Sequence, residues 1–274
     1  MEFRTIVDIQ PSPWKIEPCE RMLFVGSCFA DNVGKRFQEE KFRAMVNPYG
    51  VMYNPASILH TVERLLAAGE MPFEVDRPGT AVFTLGTNHV YILRETGEIV
   101  DNCRKRPQKL FEEKELTVDE CSRYLDQAIR LIHKQFPLIR FILTVSPIRY
   151  RKYGYHGSRL SKATLLLAIE QTIGNAPTPT AYFPSYEIMN DELRDYRFYK
   201  PDMLHPTDQA VEYIYQRMSE TFFSHATFDF LQAWKPIREA LAHRPFNPDS
   251  EDYKVFLRKA KEQEKALLLQ YRKE

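Results

Sequence analysis

MLFVGSCFADNVGKRF, residues 22–37, joins an apolar run directly to a pattern with helical period. Met22–Val25 reads as a buried strand, Gly26 as a tight turn, and Phe29 to Lys41 as the helix that follows. Ser27 therefore stands where a strand ends and a helix begins. Two roles suit a serine there: capping the first turn of the helix, or presenting a nucleophilic hydroxyl at the rim of a sheet. The rest of the chain bears on the choice.

Four more short apolar runs resemble the first: Arg43–Val46, Ala81–Leu85, Arg140–Val145 and Thr180–Phe183. None alternates cleanly, as expected of parallel strands covered on both faces. Helical patterns over Pro55–Ala68, Val118–Gln135 and Ser158–Ile173 separate them, and Tyr186–Leu193 and Thr207–Ser224 follow the last. Strand and helix alternating in this way predict an α/β fold with a doubly wound parallel sheet of five strands, order 2-1-3-4-5. Ligands in such sheets bind at the carboxyl ends of the strands, which is where Ser27 falls. Between Gly86 and Leu116 the pattern VYIL–RETG–EIV predicts a β-hairpin whose turn holds Gly97. The expected division is a single α/β domain over 1–246, with its core at about 22–226, and a charged amphipathic C-terminal helix over 247–274. That helix is expected to pack on the domain or to join two subunits of a homo-oligomer.

Composition narrows the function. Thirty-eight Lys and Arg against 37 Asp and Glu leave no net field for nucleic acid or an anionic membrane. No apolar run reaches the ~20 residues of a membrane span, and the first twenty residues lack a secretory pattern. The four cysteines are scattered, with no spacing that indicates a zinc site or a disulfide framework. The expectation is a cytoplasmic chain with no cofactor and no metal, acting on a small molecule.

Three further segments hold chemistry-bearing residues. In KPDMLHPTDQAVEYIY, Asp202 and His205 are spaced so that the carboxylate can hold Nδ1–H while Nε2 faces outward, as a general base requires. Pro206 is read there as opening the next helix. In NPYGVMYNP, Gly50 follows the second strand and permits a tight turn with its N–H toward the rim. In FTLGTNHVYIL, Asn88 follows the third strand and is a candidate donor to an oxyanion. Taken singly, each is more economically a turn or cap residue. Together they put a serine, a glycine, an asparagine and an Asp–His pair at one edge of one sheet.

GSCFADNVG, NPYGVMYNP, LTVSPIR and YEIMNDELRDYRFYKPDMLHP resemble the blocks of the GSCFA domain family, within the SGNH (GDSL-type) hydrolase clan. The similarity runs from about Leu23 to Tyr215. It implies a three-layer α/β/α fold and metal-independent hydrolysis or transfer of an acyl ester. Carried onto this chain, the resemblance makes Ser27 the nucleophile, His205 the base and Asp202 its orienting partner. Gly50, Asn88 and the Ser27 N–H become the oxyanion donors. Two features depart from the pattern: His89 stands where the wider clan commonly has an acidic residue, and the segment around 69–80 is short.

Arg149, Arg151 and His89 are candidate substrate contacts. Cys28 is expected to pack as a small apolar side chain, Lys162 to face solvent, and Arg104, Lys105 and Arg106 to form a solvated loop. The leading expectation is an esterase acting through an acyl-enzyme at Ser27, with an O-acylated sugar as a candidate substrate. An acyltransferase with the same triad, and a non-catalytic carbohydrate-binding or scaffold protein, remain as alternatives.

Overall fold

The computed structural model describes residues 3–101, 103 and 106–272; Arg104 and Lys105 lie outside them. Strand β1 (Arg21–Gly26) runs parallel to β2 (Arg43–Val46) on one side and to β3 (Gly79–Leu85) on the other. Beyond β3 lie β7 (Ile139–Val145) and β8 (Thr180–Tyr182), also parallel. The resulting order β2-β1-β3-β7-β8 is the expected 2-1-3-4-5 when only the parallel strands are counted.

Alternate strand residues face opposite layers, because successive side chains of a strand point to opposite faces. Leu23, Val25, Phe83 and Leu143 pack with α2 (Pro55–Ala68), α3 (Val118–Gln135) and α4 (Gly154–Asn175). Met22, Phe24, Val82 and Ile142 pack with α1 (Cys28–Glu39) and α6 (Asp208–Phe222). Two hydrophobic clusters thus sandwich one sheet, giving three layers. Thr117 closes a full capping box at the start of α3, and Asn54 caps α2 with Pro55 at its first position.

Several elements differ from expectation. The excursion after β3 is a three-stranded antiparallel sheet, with β4 (His89–Leu93) between β5 (Ile99–Val100) and β6 (Phe111–Glu115). The segment expected to be helical over Tyr186–Leu193 is a short α5 (Ser185–Glu187) running into a π-helical turn over Ile188–Leu193. Pro206 does not open a helix: it bridges to Tyr199, and α6 starts two residues later behind its cap, Thr207. An unforeseen helix α7 (His225–Ala242) follows α6 after a break at Phe223 and Ser224. The C-terminal helix α8 (Glu251–Tyr271) lies against α7 through a small cluster in which Phe230 meets Tyr271 at 5.1 Å between ring centres.

Lys162 is the clearest reversal. It is 1% exposed, because residues 158, 161, 162, 165, 168, 169 and 172 of α4 form the face that packs on the sheet.

Candidate active site

The junction at Gly26–Ser27 is built by close approach of β1 and β3. Gly26 has φ of +150°, and a Cβ there would lie 2.2 Å from the Thr84 carbonyl oxygen, so only glycine fits. Its N–H donates to Asn47 Oδ1 at 2.9 Å, which ties the loop after β2 to the end of β1. Ser27 then does what a cap does: its Oγ accepts from the Phe29 N–H at 3.2 Å. Its own N–H donates to Thr84 at both the carbonyl (3.1 Å) and Oγ1 (3.0 Å), extending the ladder by one residue. Ser27 Oγ also lies 3.2 Å from Thr84 Oγ1. The residue is completely buried.

Asp202 and His205 are brought together. His205 Nδ1 lies 2.6 Å from Asp202 Oδ2, while Asp202 Oδ1 accepts from the N–H groups of Leu204 (2.8 Å) and His205 (3.0 Å). Those two N–H groups, and then the His205 ring, hold the Asp202 carboxyl down at about 2. It is therefore an anion throughout the neutral range, fit to orient an imidazole and to balance an imidazolium. The His205 ring is partly open to solvent, at 37% of its side-chain surface.

The loop carrying the pair is docked at the carboxyl end of the sheet. Arg149, just beyond β7, donates from its backbone N–H to the Leu204 carbonyl at 3.1 Å and from Nη1 to the Met203 carbonyl at 3.0 Å. Ser27, at the end of β1, stands at that same sheet end. No hydrogen bond joins Ser27 to His205 among the described residues.

The other expected donors make bonds of their own. The Gly50 N–H donates to the Asn47 carbonyl at 2.9 Å within its turn. Asn88 donates from Nδ2 to the Leu116 carbonyl at 2.7 Å, and its backbone N–H to Ser161 Oγ at 3.0 Å, pinning the start of β4 to the link between β6 and α3 and to α4. His89 is buried on the hairpin, stacked on Tyr153 at 3.6 Å between ring centres, and burial pushes its imidazole down toward neutrality. Cys28 packs beside the α1–α6 cluster, its Sγ 3.9 Å from Tyr53 Oη.

Two further residues stand at this edge: Lys162, expected to face solvent, and Tyr150, which the sequence did not single out. Lys162 Nζ donates to the carbonyls of Gly86 and Ser146, just past β3 and β7. Tyr150 Oη is buried without a hydrogen-bond partner, over Gly86, and burial pushes its hydroxyl well above the ordinary value. The signal for Lys162 was available in the heptad-like spacing of the α4 face. Nothing in the pattern around Tyr150 announces its hydroxyl.

The GSCFA family model matches residues 21–77 and 74–218, which together cover most of the sequence. The chain belongs to the GSCFA family. A second model, the C-terminal domain of GSCFA domain proteins, matches residues 234–273. No curated protein sequence matches the chain. Among solved structures, it is similar to a catalytic mutant of an acetylxylan esterase from Geobacillus stearothermophilus, at 15% identity and a TM-score of 0.45, covering 77% of this chain and 97% of that one. It is also similar to a member of the lipolytic protein G-D-S-L family from Veillonella parvula, at 12% identity and a TM-score of 0.46, covering 74% and 98%. Among the described residues of this GSCFA chain, no helix is long and apolar enough to cross a membrane, and no group of three or more His, Cys, Asp or Glu is arranged to hold a metal ion.

Proposed function

We propose that this chain is a serine-dependent acyl-ester hydrolase acting on a small ester, with an O-acylated carbohydrate as the substrate class. The observation that carries the reading is the Asp202–His205 pair, bonded at 2.6 Å at the sheet end where Ser27 heads α1. Ser27 Oγ turns from Thr84 toward His205, and Nε2 takes its proton as Oγ attacks the ester carbonyl. The tetrahedral intermediate collapses, and the leaving alcohol departs with the proton from His205. A water, deprotonated by the same Nε2, then attacks the acyl-serine, releasing the acid and restoring the hydroxyl. The α1 N-terminus favours the negative charge that develops beside Ser27. An alcohol in place of that water would make the enzyme a transferase.

One observation favours a second, non-catalytic reading: Ser27 is wholly buried and its hydroxyl is bonded to Thr84 and Phe29. Labelling with a fluorophosphonate, followed by mass spectrometry of the adduct, separates the two. The hydrolase reading expects an adduct on Ser27 that is lost in Ser27→Ala and His205→Ala and kept in Cys28→Ala. A folded protein that stays unlabelled across a wide pH range overturns it.

A further inference from the structure

A cleft of about 310 Å³ opens beside the His205 loop, lined by Arg149, Arg159, Arg194, Tyr196 and Tyr199 among others. Two carboxylates, Asp191 and Asp195, line it as well. Asp195 is answered within its own turn, since Oδ1 accepts from the Arg197 N–H at 2.8 Å and faces Arg197 Nε at 3.5 Å. Among the described residues, the guanidinium groups of Arg159 and Arg194 have no carboxylate partner. Three guanidinium groups therefore stand against one unanswered carboxylate, Asp191, and the cleft is electropositive.

Arg149 is built into place. Its guanidinium lies over the ring of Tyr155 at 4.3 Å and near that of Tyr199 at 5.3 Å. Nη1 is bonded to the Met203 carbonyl, while Nε and Nη2 have no protein acceptor among the described residues. Stacking holds the planar fork while leaving edge donors available, the arrangement that suits a carboxylate or phosphate. Met203 and Leu204, which Arg149 grips, immediately precede His205. A group bound by Arg149 is thus tied through two hydrogen bonds to the loop that carries the base.

We propose that this cleft is a subsite for an oxyanion, a carboxylate or a phosphate, borne on a monosaccharide-sized part of the ligand. The volume admits one sugar-sized unit, and the tyrosines offer flat faces beside the cationic fork. That the anion belongs to a substrate rests on the hydrolase reading; that it binds does not.

The test is calorimetric titration at low ionic strength of the full chain with D-glucuronate, D-glucose 6-phosphate and D-glucose. At least one of the two anions is expected to bind about tenfold more tightly than the neutral sugar, one charge-assisted contact being worth roughly that ratio. Which anion binds assigns carboxylate or phosphate. Arg159→Gln and Arg194→Gln, singly and together, are expected to lower that affinity about tenfold or more, whereas Arg94→Gln, at a residue that pairs with Glu112 and does not line the cleft, leaves it unchanged. Thermal melts establish that each variant is folded, and the single variants stand if the double one is not. Equal binding of all three sugars, or anion binding that persists in the folded arginine variants, overturns the proposal. Because binding is read without turnover, a Ser27 that resists fluorophosphonate while the anion still binds removes the hydrolase reading and leaves the subsite.

Discussion

Lys162 Nζ donates to the Gly86 carbonyl at 2.7 Å from a position closed to solvent, and to the Ser146 carbonyl at 2.8 Å, so one side chain clasps the carboxyl ends of β3 and β7. Burial pulls its ammonium down from 10.5 to about 7. Between those values the unfolded chain holds a proton that the folded chain lacks, so the contribution of Lys162 to stability is lost as pH falls through the window and regained as it rises. The advantage of wild type over Lys162→Met is expected to grow by about 2 kcal/mol from about pH 7.5 to about pH 9, at 1.36 kcal/mol per unit. Urea unfolding at the two pH values measures it. A constant difference would mean that the two carbonyls keep the ammonium charged.

Asp202→Asn tests the orienting pair. Asparagine can keep the Oδ1 bonds to the Leu204 and His205 N–H groups, but it presents an amide to Nδ1 in place of the carboxylate. Wrong tautomer and lost charge together predict a fall of roughly 10²–10⁴ in the rate of serine labelling or ester turnover. The melting temperature should change little, because both side chains are partly exposed. Unaltered labelling would detach Asp202 from the chemistry.

Gly26→Ala should be among the most damaging substitutions in the chain. The new methyl would lie 2.2 Å from the Thr84 carbonyl oxygen and 2.5 Å from Thr84 Oγ1, both part of the β1–β3 junction. A loss above about 3 kcal/mol, or failure to fold, is expected. Gly97→Ala is the control: φ is +72°, but the added methyl meets open space, so the cost should be about 1 kcal/mol. Similar costs at the two positions would contradict the close approach at Gly26.

Glu40 lies almost wholly buried between Arg36 and Arg238, bonded to both. Glu40→Gln leaves two guanidinium groups facing a neutral amide, for an expected loss of about 3 kcal/mol in chemical denaturation. A loss below ~1 kcal/mol would mean that solvent screens the cluster as it does a surface pair.

The parallel sheet was legible because its strands are short apolar runs without clean alternation, separated by patterns of helical period. Strand β6, FEEKE, was not: four of its five residues are charged and exposed, and backbone pairing with β4 holds it in place. Helix α7 was hidden because Ser224, read as the end of one helix, is the cap of the next. For the site, the D-x-x-H spacing lets one carboxylate reach both the ring and the backbone, and Asp202 and His205 are in contact. Donor directions could not be read in the same way. Gly50 and Asn88 each donate to a nearby backbone carbonyl, that of Asn47 and that of Leu116, which the spacing alone does not reveal. The arginine cleft was beyond reach as well, because Arg149, Arg159 and Arg194 come from three separated segments that only the packed chain assembles.

Trp234 reaches across from α7 to donate its indole N–H to the Glu39 carbonyl at 2.9 Å, closing the end of α1 opposite Ser27. The C-terminal family match begins at that same tryptophan, part-way along α7. Trp234 thus ties the region matched by one family model to the region matched by the other. A chain ended at residue 233 would keep the first half of α7 and uncover Phe230 and Cys19, both fully buried in the intact protein. It would also strip Glu40 of Arg238 and leave the last turn of α1 without its indole cap. The helix that Ser27 heads is thus finished by a side chain that lies 195 positions further along the sequence.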